Sequence, residues 1–154
     1  MWATTEFKAG MADFHPENRK SLVRASDMIS NQAGTSFTRA LGNGFRQTIS
    51  RILAKEEMTP SKLQKGHVQA TIERCEAYNG KLIVAQDSVL YDYSGHKKMK
   101  GLKRLQKKSK GLVQHNALVI TDEKVPLGLV HQRTWTRKGA NCYSLEGKKE
   151  SYKW

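Results

Sequence analysis

The stretch Leu82-Ile83-Val84-Ala85-Gln86-Asp87-Ser88 decides the fold. Its four consecutive apolar residues form a run of the length and kind expected for a strand buried on both faces, and Gln86-Asp87-Ser88 is expected to end it. Upstream the apolar residues recur at helical spacing, and downstream they run or alternate as strands do. A boundary near Gly80 follows, with a helical domain over residues 1–79 and a second domain over 80–154. A carboxylate at the end of a buried strand is rigidly held and open to solvent, as a divalent-metal ligand must be. The same position also suits a residue that starts a turn, so Asp87 stands open between the two.

In the first half Pro16 suits a first helical position, and Leu22, Ala25 and Ile29 then place one apolar face on a helix that Asn31–Gly34 ends. Ser36 is a suitable N-cap for a shorter helix that stops at Gly42-Asn43-Gly44. Phe45, Ile49, Ile52 and Leu53 fall at i, i+4, i+7 and i+8, a helical stripe that leaves Arg46 and Arg51 on other faces. Helix, glycine turn and helix with exposed arginines is compatible with DNA binding, although such a pair is far more often ordinary helical packing. Thr59-Pro60 starts a further helix, whose apolar residues Leu63, Val68, Ile72 and Cys75 lead to a stop at Asn79-Gly80.

In the second half Leu112 to Thr121 reads as a strand and Asp122-Glu123-Lys124 as a tight connection. Val125, Leu127 and Leu129 alternate as the return strand of a hairpin. Pro126 cannot donate to a ladder, so the return strand starts there or lies at an edge. Thr136 to Lys149 is polar and glycine-containing.

The chain has 154 residues, 38% of them apolar, enough for one modest core or for a small helical domain plus part of a second. Its formal charge is +13, an excess that implies a polyanionic partner, nucleic acid before an acidic membrane surface. Residues 1–80 hold 11 basic and 8 acidic side chains and residues 81–154 hold 16 and 6, so the excess belongs to the second half. There Lys97, Lys98, Lys100, Lys103, Arg104, Lys107, Lys108 and Lys110 follow one another without an acid, among Gly95, Gly101 and Gly111. The run reads as a flexible basic loop, either a solvated surface or a phosphate-contacting segment. Leu102 and Leu105 interrupt it and give part of it something to pack with.

Other chemistries find no support in the spacing. Cys75 and Cys142 have no partner at zinc-ligand spacing, and His15, His67, His96, His115 and His131 are dispersed. Ser88 lacks nucleophile-elbow glycines and an evident base, and no phosphate-binding glycine loop occurs. Met1–Gly10 has no signal-peptide apolar region and no window has the apolar run of a membrane span. The expectation is a soluble, intracellular protein without a membrane partner.

Taken in order, several segments resemble the bacterial DDE transposases of the insertion-sequence-four group, which includes the Tn-five-like cut-and-paste transposases. Leu82 to Asp87 is similar to that family's first catalytic strand, followed by Tyr93-Ser94-Gly95-His96, the lysine- and glycine-rich loop, Lys110-Gly111 and His115. Val125-Pro126-Leu127-Gly128-Leu129, with Gln132 and Trp135, resembles the next strand, and Glu150-Ser151-Tyr152-Lys153-Trp154 the motif that opens the following helix. Thr35-Ser36, Gly42, Arg51 and Thr59 fall where the family's helical end-binding domain has similar residues. Order and spacing together carry the resemblance, which covers most of the chain.

The resemblance implies an α+β protein: an N-terminal helical DNA-binding domain, then the first strands of a truncated ribonuclease-H-like catalytic domain. In the complete enzyme three carboxylates gather two Mg2+ ions, or Mn2+, for phosphodiester cleavage and strand transfer. Asp87 matches the first carboxylate. By the same carry-over Arg51 contacts double-stranded DNA at transposon ends and the lysine loop tracks phosphates, while Arg46 is a DNA-binding candidate by its place on the helix alone. The expected location is the bacterial cytoplasm, on the nucleoid. Ser88 and Val89 depart from the family by standing where two threonines are common. The second Asp, the Glu and the dimerising region lie in the family beyond the position of Trp154. A lone Asp87 cannot hold two metals in register, so no strand transfer, and no stably bound metal, is expected of this polypeptide alone.

Two readings follow. A transposase fragment, which self-associates or joins the full-length transposase, leaves the apolar faces of Leu82–Ala85 and the hairpin incompletely covered. A non-enzymatic nucleic-acid-binding module is a closed monomeric domain in which Asp87 is only a turn residue.

Overall fold

The computed structural model describes residues 2–7, 10–12, 14–105 and 109–137. Lys107, Lys108, Cys142 and the Glu150–Trp154 motif lie outside the described residues. The chain is α+β: five helices followed by an antiparallel sheet, in two compact units, Met1–Ala77 and Tyr78–Trp154. No helix among the described residues is long and apolar enough to cross a membrane.

The first unit holds α1 (Trp2–Phe7), α2 (Pro16–Ser30), α3 (Phe37–Leu41), α4 (Asn43–Leu53) and α5 (Pro60–Ala77). Pro16 opens α2, and Ser36 Oγ caps α3 by accepting from the Arg39 N–H at 3.2 Å. Gly42 both ends α3 and starts α4, at φ 68° and ψ 164°, a region that is essentially glycine's alone. Ile49 and Ile52 of α4 are buried with Met11, Phe14, Leu22, Ala25, Leu41 and Met58 in one core. Each Leu, Ile, Met or Phe among them contributes about 1.5–3 kcal/mol when fully buried. Leu53, the last residue of the expected stripe, stays 41% exposed.

Helix α5 starts as expected, with Thr59 Oγ1 accepting from the Lys62 N–H at 3.3 Å, but it packs on a different face. Gly66 and Thr71 are its buried residues, while Ile72 is exposed. The cause is α1, a helix that the apolar pattern does not reveal. It lies on α5 so closely that a Cβ on Gly66 would stand 2.9 Å from the Glu6 carbonyl oxygen. Beside this contact the Glu6 carboxylate accepts two bonds from Arg74, both at 2.9 Å, and bonds His67 Nδ1 at 2.6 Å.

The second unit holds β1 (Leu82–Asp92), β2 (Lys103–Arg104), β3 (Lys110–Thr121) and β4 (Pro126–Trp135). Strand β3 is central. It pairs antiparallel with β1 over eleven rungs, from Leu82 opposite Thr121 to Asp92 opposite Gly111. On its other side it pairs with β4, from Val113 opposite Trp135 to Ile120 opposite Pro126, and with the short β2. Pro126 is the first residue of β4, where its missing N–H is tolerated. Asp122, Glu123 and Lys124 turn the chain, with Lys124 at φ 66°, Thr121 N–H donating to Val125 O and Lys124 N–H to Thr121 O.

The expectation for β1 needs two corrections. The strand does not stop at Gln86-Asp87-Ser88 but continues to Asp92, because β3 pairs with it throughout. Nor is it buried on both faces: Leu82 is 40%, Ile83 55% and Val84 50% exposed. It is an outer strand among the described residues, as β4 is on the other side of β3. In β3, by contrast, Gly111, Val113, His115, Ala117, Val119 and Thr121 are buried on one face and the residues between them half-buried.

Candidate functional site

Strand periodicity sorts β1 into two faces. Ile83, Ala85, Asp87, Val89 and Tyr91 share one, and Leu82, Val84, Gln86, Ser88, Leu90 and Asp92 the other. Asp87 is exposed in the middle of β1 and therefore starts no turn. Its Oδ1 accepts from the Ser88 N–H at 2.8 Å. Across the sheet it stands opposite Asn116 of β3, whose Oδ1 accepts from Gln132 Nε2 of β4 at 2.8 Å. Asp87, Asn116 and Gln132 thus form one polar row over three strands.

Five residues from Asp87, Asp92 falls on the opposite face and does not join it. The Asp92 carboxylate accepts from Ser94 Oγ and from the Ser94 N–H, and those two bonds hold its pKa below the usual carboxylate value. Among the described residues no three His, Cys, Asp or Glu side chains gather in a way that would hold a metal ion.

Ser88 has a histidine neighbour that its sequence surroundings do not reveal. Ser88 Oγ lies 2.9 Å from Nδ1 of the buried His115, its partner across β1 and β3, and Arg133 of β4 stands opposite His115. Only the strand register brings these residues, 27 apart in sequence, together.

The basic segment is tied down rather than free. Tyr93 N–H donates to Lys110 O at 2.9 Å, and Ser94 Oγ accepts from the Lys110 N–H at 2.9 Å. His96 N–H bonds Tyr93 O, Met99 N–H bonds His96 O, and Leu105 N–H bonds Ser109 O. Leu105 is buried at 2% exposure, and its carbonyl accepts from Arg137. Gly111 admits this packing, because a Cβ there would run into Tyr91 O and Leu105 Cδ1. The anchored backbone leaves Lys97, Lys98, Lys100, Lys103, Arg104 and Lys110 exposed at one end of the sheet. Five residues of strand, roughly 17 Å, separate Asp87 from Asp92, where the loop begins.

Tyr91 and Tyr93 stack with ring centroids 6.3 Å apart and planes 12° from parallel, and His96 meets Tyr93 edge-on at 5.6 Å. The alternation of Tyr91 and Tyr93 was the one signal for this row in the sequence.

In the helical unit Arg51 is exposed, whereas Arg46 is half-buried and its buried Nε has no hydrogen-bond partner among the described residues. Five positions apart, the two lie roughly 140° around α4 and do not share a face. Arg24 lies over the Phe45 ring, 4.9 Å from its centroid. Compared with protein-family models and with curated proteins, the chain matches none.

Proposed function

We propose that this protein binds double-stranded DNA through its basic loop, as part of a cut-and-paste transposase of the insertion-sequence-four group that acts on transposon ends at the bacterial nucleoid. One observation carries this reading: Asp87 sits exposed in mid-strand on the first of three long antiparallel strands, with a pinned lysine loop at the end of the same strand pair. That is the order the resemblance implies for the opening strands of a ribonuclease-H-like domain. The exposed Leu82, Ile83 and Val84 favour an incomplete sheet over a closed binding module.

In this reading Asp87 is one carboxylate of a two-metal phosphodiester-cleaving site. Hard cations take six or more oxygen ligands, and Asp87 beside the amides of Asn116 and Gln132 does not make a site for two Mg2+ or Mn2+ ions. The other carboxylates have to come from further parts of the assembly or from a full-length partner. Translating the DNA beyond the Trp154 codon in all three frames tests this. A second Asp at a strand end and a Glu in a basic helix are expected, and their absence from every frame would remove the catalytic role from Asp87. Duplex binding whose affinity falls steeply with salt is expected of the polypeptide itself.

A further inference from the structure

We propose that Tyr91, Tyr93 and His96, together with Lys97 and Lys110, form a site for an unpaired nucleic-acid strand. The inference rests on the nucleic-acid reading above and names the form of substrate that this end of the sheet takes. Three observations carry it. Tyr91 near the end of β1 and Tyr93 just past it form a near-parallel pair with ring centroids 6.3 Å apart, and the edge-on contact with His96 extends the row. Tyr91 remains 38% exposed, so this aromatic surface is not consumed by the core. Beside it lies a concavity of about 270 Å³ lined by Tyr93, Ser94, His96, Lys97, Met99 and Lys110, among others.

The chemistry selects the occupant. Lysines alone recognise any phosphate backbone, duplex or single-stranded. Aromatic rings add stacking only when a base face is free, and in a duplex each face is covered by the next pair. Rings bordered by Lys97 and Lys110 at the end of an exposed strand therefore favour an unpaired strand. Asp92, the acid nearest the row, is directed to Ser94 and holds the turn. Asp87 lies on the tyrosine face, four residues or roughly 13 Å along β1 from Tyr91, so a strand seated on the rings can run toward it.

Fluorescence anisotropy on the full chain, with a labelled oligothymidylate and a labelled duplex of equal length, tests the site. Replacing both tyrosines, Tyr91→Leu with Tyr93→Leu, is expected to weaken single-strand binding by about tenfold or more and duplex binding by less than about twofold. The Tyr91→Phe, Tyr93→Phe pair keeps the rings and is expected to bind as the parent does. Tyr91→Leu alone, at an exposed position, is expected to weaken single-strand binding about fivefold and keeps the result independent of folding. Unchanged single-strand affinity in the leucine variants, with duplex binding intact, would overturn this site and leave the duplex reading standing. Failure of the parent chain to bind either probe at low salt would overturn both.

Discussion

Asp87 and Asn116 stand opposite one another across β1 and β3, and the row continues to Gln132, which donates to Asn116 Oδ1 at 2.8 Å. Among the described residues the Asp87 carboxylate bonds only the adjacent Ser88 N–H, and the side chain is exposed. Its carboxylate therefore contributes little to folding, and Asp87→Asn should change stability by less than about 0.5 kcal/mol, as exposed positions away from caps and networks do. Denaturant unfolding checks this through a midpoint and slope that match the parent. A loss above about 1.5 kcal/mol would mark Asp87 as a structural residue of the sheet.

The exposed lysines make a prediction that separates charge from shape. Replacing Lys97, Lys98 and Lys100 by Gln removes three cations that the structure leaves at the surface, so the backbone turns should persist. If all three meet phosphates, the slope of log affinity against log salt falls by about 2.7 on duplex DNA. A titration from low to moderate salt measures it directly. An unchanged slope would mean that the loop is only a solvated surface.

How much of this could be read in advance follows from the range of the interactions. Helix ends were legible, because Pro16, Ser36, Gly42 and Thr59 act on backbone groups within four residues. The β3–β4 turn was legible for the same reason, with Pro126 placed where a missing N–H does no harm. The length of β1 was not, because Gln86-Asp87-Ser88 has turn chemistry that β3 overrides by pairing through Asp92. The face of α5 was not, because Gly66 and Thr71 are buried by α1 and not by any apolar stripe of their own. In the candidate site Asp87 and the lysines could be named individually. The rows Asp87–Asn116–Gln132 and Ser88–His115–Arg133 depend on register between segments 16 or more residues apart, which spacing along one strand cannot reveal.

Gly66 offers a test of that close approach. In an exposed helix Gly→Ala stabilises by about 1 kcal/mol. Here the new Cβ would meet Glu6 O and the Phe7 backbone at 2.9 Å, both main-chain atoms that cannot turn aside. Overpacking costs about 1–3 kcal/mol and outweighs the propensity gain. Gly66→Ala should therefore lower the thermal midpoint of the helical unit, and a raised midpoint would show that α1 does not lie against α5 in this way.

The Glu6 cluster gives that unit a dependence on pH. Bonds from Arg74 hold the Glu6 carboxyl below its ordinary value of 4.5, with His67 adding to the effect and burial opposing it. A carboxyl that ionises more readily folded than unfolded stabilises the folded state fully above the unfolded value. That contribution disappears as pH falls through the lower, folded value. The parent should lose stability on acidification below about pH 4.5 more steeply than Glu6→Gln, which has no such proton to take up. At neutral pH the variant should be weaker by about 1–3 kcal/mol, since Arg74 and His67 exchange a charged carboxylate for an amide with one acceptor oxygen in a partly buried place. Parallel acid profiles for the two proteins would dismiss the ion-pair cluster as a contributor.

Strand β1 carries the last prediction, because its exposed residues combine high strand propensity with apolar surface. Leu82, Ile83 and Val84 are between 40% and 55% exposed, and no Pro, Lys or Arg interrupts the segment from Leu82 to Asp92. Proteins usually protect an outer strand with those residues or with a bulge, and the β1–β3 pairing runs through eleven rungs without a register shift. Among the described residues this edge has no further partner and is open to another strand, whether from a second copy, from the rest of a transposase or from a misfolded neighbour. Val84→Lys places a charge on a half-exposed position and removes little buried area, so folding should be almost unaffected. Association should fall, which sedimentation velocity at several protein concentrations reads as a slower, concentration-independent species. The same variant should also fail to join a full-length partner if that partner pairs with this edge. A parent chain that is already monomeric at every concentration, with Val84→Lys indistinguishable from it, would favour the closed binding module over the incomplete sheet.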